Sequence, residues 1–111
     1  MKNAEAVLSV KFSSTFDSQL LMETLQVDLD TFREVPGLIE KYYLEEEGTR
    51  AISGIYLFQS KSSRAAFLSS ELAKNIPSRY GVIPDTLRIE QYDVAIVLNE
   101  YAPVTGSTLD C

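Results

Sequence analysis

At 111 residues and 12.4 kDa, the chain has room for one domain and no second core. Its 45% hydrophobic and 23% charged residues form an ordinary globular balance, which excludes a disordered or disulfide-scaffolded chain. A net charge of −6 argues against a nucleic-acid surface, and the absence of histidine removes the commonest base and metal ligand at neutral pH.

Ala6, Leu8, Val10 and Phe12 alternate with Val7, Ser9 and Lys11, the period of two that predicts a first strand. Ser14 and Asp17 then stand at capping-box spacing, so a helix is expected to start here and run to about Glu34. Its apolar residues form two adjacent stripes, one of Phe16, Leu20 and Val27 and one of Leu21, Leu25, Leu29 and Phe32. Such a wide face calls for burial on two sides or a bend near residues 28–30. Val35-Pro36-Gly37 stops the helix. Residues 38–46 and 51–59 read as a hairpin turned by Glu47-Gly48-Thr49-Arg50. A second helix is expected to be capped by Ser60 or Ser62, to carry Ala65, Ala66, Phe67, Leu68, Leu72 and Ala73, and to end before Pro77. Residues 86–98 return to strand character, with Leu87 and Ile89 alternating with Arg88 and Glu90, and residues 99–111 read as a tail.

The order β-α-β-β-α-β predicts an α+β fold of ferredoxin-like type over residues 1–98, a four-stranded antiparallel sheet with two helices on one face. In the third strand Tyr56 and Phe58 point one way while Ile55 and Leu57 point the other, so both faces of the sheet are apolar. Only one face can meet the chain's own helices. A homodimer packed through the sheet faces is therefore expected. The longest apolar run, Val94 to Leu98, is far shorter than the ~20 residues of a bilayer span, and Met1 to Glu5 lacks a signal-type apolar region. A cytoplasmic protein with no membrane or nucleic-acid partner is the expectation, and a single cysteine, Cys111, agrees with a reducing compartment.

Few motifs point to chemistry. Glu45, Glu46 and Glu47 cannot converge on a cation from one strand, because successive side chains point to opposite faces; they read as a solvated turn, and no metal site is expected. Gly48, Gly54 and Gly81 have no phosphate-loop spacing, and no serine has an evident activating base. Arg88 and Glu90 read as a solvated edge. Tyr42, Tyr43, Tyr56 and Tyr92 lie on predicted strands, where aromatics are favoured for packing alone, although a phenol can also hydrogen-bond an oxygenated aromatic ligand.

Val35-Pro36-Gly37-Leu38-Ile39, then Gly54-Ile55-Tyr56-Leu57-Phe58 and a helix beginning near Ser60, together resemble the YdhR-like monooxygenases over about residues 6–98. These belong to the dimeric α/β-barrel superfamily, which also holds antibiotic-biosynthesis monooxygenases and haem-degrading enzymes. The resemblance implies a dimer whose two sheets close into a barrel, with a pocket in each subunit between sheet and helices. It also implies oxygenase activity on small aromatic or polycyclic substrates without a tightly bound metal or flavin, and hence no cofactor. By position, Phe58 falls on the pocket wall and Tyr56 shares its face; Phe67 and Tyr92 complete the implied substrate pocket. Where relatives carry histidines, this chain has Lys11 in the first strand and Ser70 and Glu71 in the second helix. Proton transfer then falls to Lys11, Glu71 or a tyrosine with a shifted pKa. The function implied is a cofactor-independent monooxygenase of a small aromatic or quinol-like compound. The alternative is a non-catalytic ligand-binding dimer of the same fold, and a third reading is a structural dimer whose pocket its own side chains fill.

Overall fold

A computed structural model describes residues 3–99 of the chain; Cys111 and all but the first residue of the expected tail lie outside the described residues. The strands are β1 (Ala6–Phe12), β2 (Leu38–Glu45), β3 (Ile52–Phe58) and β4 (Arg88–Asp93), and they form one antiparallel sheet in the order β2-β3-β1-β4. Helices α1 (Ser18–Val27) and α2 (Leu29–Arg33) join β1 to β2, and α3 (Lys61–Leu68), α4 (Glu71–Lys74) and α5 (Ile76–Arg79) join β3 to β4. This is the ferredoxin-like arrangement expected, with each long helix broken into shorter pieces.

The period-two pattern decides which face is covered. The register sets Leu8 opposite Tyr56 and Val10 opposite Gly54, so Leu8, Val10, Phe12, Ile52, Tyr56 and Phe58 share one face. That face is buried against Leu21, Leu25, Phe32 and Phe67 of the helices. On the other face Tyr42 and Leu44 are half exposed at 52% each and Tyr92 at 50%, flanking the partly buried Ile55, Leu57 and Val7. Both faces of the sheet are apolar, and the described residues of one chain cover only one of them. None of the described helices is long and apolar enough to cross a membrane.

Three boundaries differ from expectation, each for a local reason. The N-cap of α1 is Asp17, whose Oδ1 accepts the Leu20 N–H at 2.8 Å. Ser14 instead donates its hydroxyl to the Tyr80 carbonyl at 2.6 Å and pairs with Val82, joining the end of β1 to the turn after α5. Pro77 does not stop the second helical stretch. It sits in the first turn of α5, where its missing N–H would have no helical partner. β4 ends at Asp93, which pairs with Ala6 at the start of β1; beyond it the Val94 N–H still reaches the Glu5 carbonyl at 3.0 Å, and Ile96 and Leu98 are 91% and 94% exposed. The helix bend does fall where the wide apolar face required it, at Asp28 between α1 and α2.

Gly37 carries the turn into β2. Its φ of +79° lies in the left-handed region, its carbonyl accepts the Gln59 N–H at 2.9 Å, and a Cβ built there collides with the Ser63 side chain of α3. Gly37→Ala should therefore cost about 2 kcal/mol or more, read as a lower urea midpoint with unchanged slope, whereas an alanine variant as stable as the parent would contradict this account of the turn.

Candidate active site

The structure separates the residues that sequence reading had grouped. Tyr56, Phe58 and Phe67 do come together, with ring centres 5.1 to 6.3 Å apart, but they are 2%, 0% and 3% exposed. They fill the space between sheet and helices and form the floor of the core. Tyr92 is on the opposite face of the sheet, where its hydroxyl donates to Glu90 Oε1 at 2.9 Å. Lys11 is also on that outer face, paired with Glu46 at 3.0 Å. Glu71 begins α4 in the helical layer and is exposed. Because the sheet stands between Lys11 and Glu71, the two cannot act on one substrate within a subunit.

The group that sequence reading missed is Lys41. A bulge between Leu38 and Glu40 sets Lys41 opposite Tyr56, so its side chain enters the helix-covered face. Its Nζ lies 3.1 Å from the centre of the Phe32 ring, 4.2 Å from that of Tyr43 and 4.4 Å from that of Tyr56, and it hydrogen-bonds the Tyr43 hydroxyl. Gly54 makes room for this group. A Cβ there would stand 3.1 Å from Tyr56 Cε1 and 3.5 Å from Tyr43 Cε1.

Two forces compete for the Lys41 proton. The ring faces favour an ammonium by about 2 kcal/mol when water is excluded, and the Asp28 carboxylate adds attraction. Burying a charged amine costs several kcal/mol, which is larger. Desolvation therefore wins and draws the Lys41 pKa down to about 6, so a neutral amine predominates at pH 7.

A polar chain continues from this amine. Burial holds the Tyr43 hydroxyl well above the usual phenol range, and Tyr43 and Tyr80 perturb each other's ionisation. Tyr80, itself pushed up chiefly by burial, donates its hydroxyl to Asp28 Oδ2 at 2.8 Å. Arg79 grips the same carboxylate through Nε and Nη2, each at 2.9 Å, and holds Asp28 below its ordinary pKa. Each end of the chain meets a cleft. One of about 220 Å³ opens beside Lys41, between α2 and the start of β2, lined by Leu29, Phe32, Leu38 and Ile39 with Arg33 and Glu40. The other, about 170 Å³, lies beside Asp28, Asn75, Arg79 and Tyr80. Among the described residues no three His, Cys, Asp or Glu side chains gather as a metal site would require.

Lys41→Met should raise stability by about 1–4 kcal/mol, because a similar apolar volume replaces a desolvated amine. The sign follows from linkage. Between pH 6 and the ordinary lysine value near 10.4 the unfolded chain binds more protons than the folded one, so wild-type stability climbs with pH across that window. The advantage of the methionine variant is therefore largest below pH 6 and shrinks toward pH 10 in urea titrations; an advantage that does not vary with pH would contradict a neutral Lys41.

Comparison with known proteins places this site in context. The ActVA-Orf6 monooxygenase of Streptomyces coelicolor, solved in complex with nanaomycin D, matches with a TM-score of 0.63 and 16% identity over 88% of this chain and 94% of its own. SnoaB of Streptomyces nogalater, a cofactor-independent oxygenase, gives 0.69 and 12% over 87% and 99%. NE2512 of Nitrosomonas europaea, a protein of unknown function, gives 0.69 and 16% over 95% and 100%. At such identities the likeness shows a shared fold. No curated protein matches the chain in sequence. The family model described as "Putative mono-oxygenase ydhR" does match, over residues 7–101, and the chain belongs to that family.

Proposed function

We propose that the protein is a monooxygenase that oxidises a small phenolic or quinol-like aromatic with dioxygen and no bound cofactor, using Lys41 as its base. The observation that carries this reading is the Lys41 amine, buried against three aromatic rings at the edge of a cleft of about 220 Å³. A cavity of about 150 Å³ holds benzene, so this cleft is scaled for one or two rings. Family membership supports the reaction class.

The chemistry asks for a base that is free at neutral pH and a site that keeps water away from a reactive anion. Lys41 takes a proton from the acidic ring CH₂ of the substrate's keto tautomer. The carbanion passes its electrons to dioxygen and forms a C–O bond, and the resulting peroxide anion takes back the proton held by Lys41 and Tyr43 to give a hydroperoxide. Loss of water from the hydroperoxide leaves a carbonyl, so one oxygen atom ends in the product and the other in water. The hydrogen left on that carbon departs with the outer O–H as the water. The substrate supplies all the electrons. The enzymatic reading is preferred over a ligand-binding module because the chain belongs to a mono-oxygenase family.

We also propose that a second copy of the chain covers the open sheet face. Tyr42, Leu44 and Tyr92 flank Ile55 and Leu57 there, an apolar area too continuous for a face left in water.

Oxygen uptake with anthrone- and quinol-type compounds should exceed the buffer rate, rise with pH through about 6, and fall ~100-fold or more in Lys41→Met. Uptake equal to buffer across the panel by a folded protein would defeat the enzymatic reading. Leu57→Asp, which places a charge at the centre of the open face, should convert a dimer to a monomer in sedimentation equilibrium; a wild-type chain that sediments as a monomer at high micromolar concentration would refute the dimer.

A further inference from the structure

The Lys41 amine has features that deprotonation alone does not need. Its nitrogen ends a flexible four-carbon stem at the wall of a cleft, and it has no carboxylate partner among the described residues. Lys11 and Lys61, by contrast, are paired with Glu46 and Asp93 at 3.0 and 3.2 Å. A hydroxyl that can both donate and accept, that of Tyr43, is hydrogen-bonded to Nζ. The cleft is lined by Phe32 and the apolar side chains of Leu29, Leu38 and Ile39, together with the charged Arg33 and Glu40.

We propose that Lys41 is a covalent site for small aromatic aldehydes, which enter the cleft beside Phe32 and are held as an imine on Nζ. This activity stands apart from the oxygen chemistry and does not depend on it. The lone pair of Nζ attacks the aldehyde carbon, a C–N bond forms, and the carbonyl oxygen becomes a hydroxyl. That hydroxyl leaves as water when Tyr43 hands it a proton, and the remaining N–H proton restores Tyr43. One aldehyde and one amine thus give one imine and one water, with no oxidant or reductant. The aromatic ring of the aldehyde packs against the apolar side chains of Leu29, Leu38 and Ile39 that line the cleft with Phe32.

Only an unprotonated amine can take the first step, and the surroundings of Lys41 set how much is present. The groups facing it are Tyr43 on its own strand, Tyr56 on β3, and Asp28, whose carboxylate Tyr80 and Arg79 of the last helical turn already engage. Burial draws the Lys41 pKa down to about 6, so the amine is mostly neutral at pH 7, whereas an ordinary lysine near 10.4 is neutral in well under 1% of molecules.

The test uses the full chain and benzaldehyde as probe, with sodium cyanoborohydride to trap the imine as a benzylamine, and peptide mass spectrometry to follow each lysine separately. At pH 7, Lys41 should be labelled ~10-fold faster or more than Lys11, Lys61 and Lys74. The preference should shrink to about threefold at pH 10, where roughly a quarter of an ordinary lysine is already free, and vanish in urea, where the aromatic surroundings are gone. Labelling of Lys41 at or below the rate of the other lysines at pH 7 would overturn the proposal, as would a preference that persists in urea. Oxygen uptake is a separate readout, so a chain that labels at Lys41 but consumes no oxygen keeps this site and loses only the oxygenase reading.

Discussion

A partly buried primary amine held against aromatic faces, stripped of much of the water that would solvate its charge, is the constraint on which the functional half of this structure depends. Phe32, Tyr43 and Tyr56 surround Lys41 Nζ, and the attraction of their faces for a cation falls short of the hydration an ammonium would lose. The amine gives up its proton instead. Several otherwise unrelated features serve that outcome. The bulge at the start of β2 turns Lys41 inward, Gly54 leaves space for the two tyrosine rings, and the bend at Asp28 brings Phe32 over the sheet edge. Asp28, the nearest anion, is already engaged by Arg79 and Tyr80, which limits its pull on the Lys41 proton.

The sheet divides the molecule into two kinds of surface. Its inner face is closed by the chain's own helices and carries the amine, the phenols and the clefts. Its outer face presents exposed Tyr42, Leu44 and Tyr92 and carries Lys11, which the pleat separates from all of the inner chemistry. Arg64 fastens the helical layer to this frame. Buried at 8% exposure, it donates from α3 to the carbonyls of Val7 and Tyr92 at 3.1 and 2.7 Å. That contact ties the β1–β4 end of the sheet to the helix that supplies Phe67.

The fold was legible because strands announce themselves by period two. Ala6, Leu8, Val10 and Phe12 could face only one way, and so could Tyr56 and Phe58. The candidate site was not legible, and the reason lies in one residue. Counting inward from Leu38 at strict alternation puts Tyr42 and Leu44 on the core side and Lys41 in solvent; the extra residue at Ile39 reverses that phase. A charged residue between Glu40 and Tyr42 gives no local sign of burial, and only the pairing with β3 reveals it. Lys11 and Glu71 stand where the resemblance implies a proton-transferring group, but position in a family pattern does not fix the face, and the sheet lies between them. Val94 to Leu98 has the composition of a strand, but the pairing with β1 runs out after the Val94 N–H bonds the Glu5 carbonyl.

The protonation state of Lys41 is the quantity from which both proposed activities follow, and it can be measured without any substrate. Selective ¹³C labelling of lysine side chains, followed by NMR from pH 4 to pH 11, reads the titration of each amine individually. This account predicts a Lys41 midpoint of about 6. A midpoint near 10, as for a lysine in water, would mean that the aromatic site holds an ammonium, and neither a base nor a nucleophile would be present there at neutral pH.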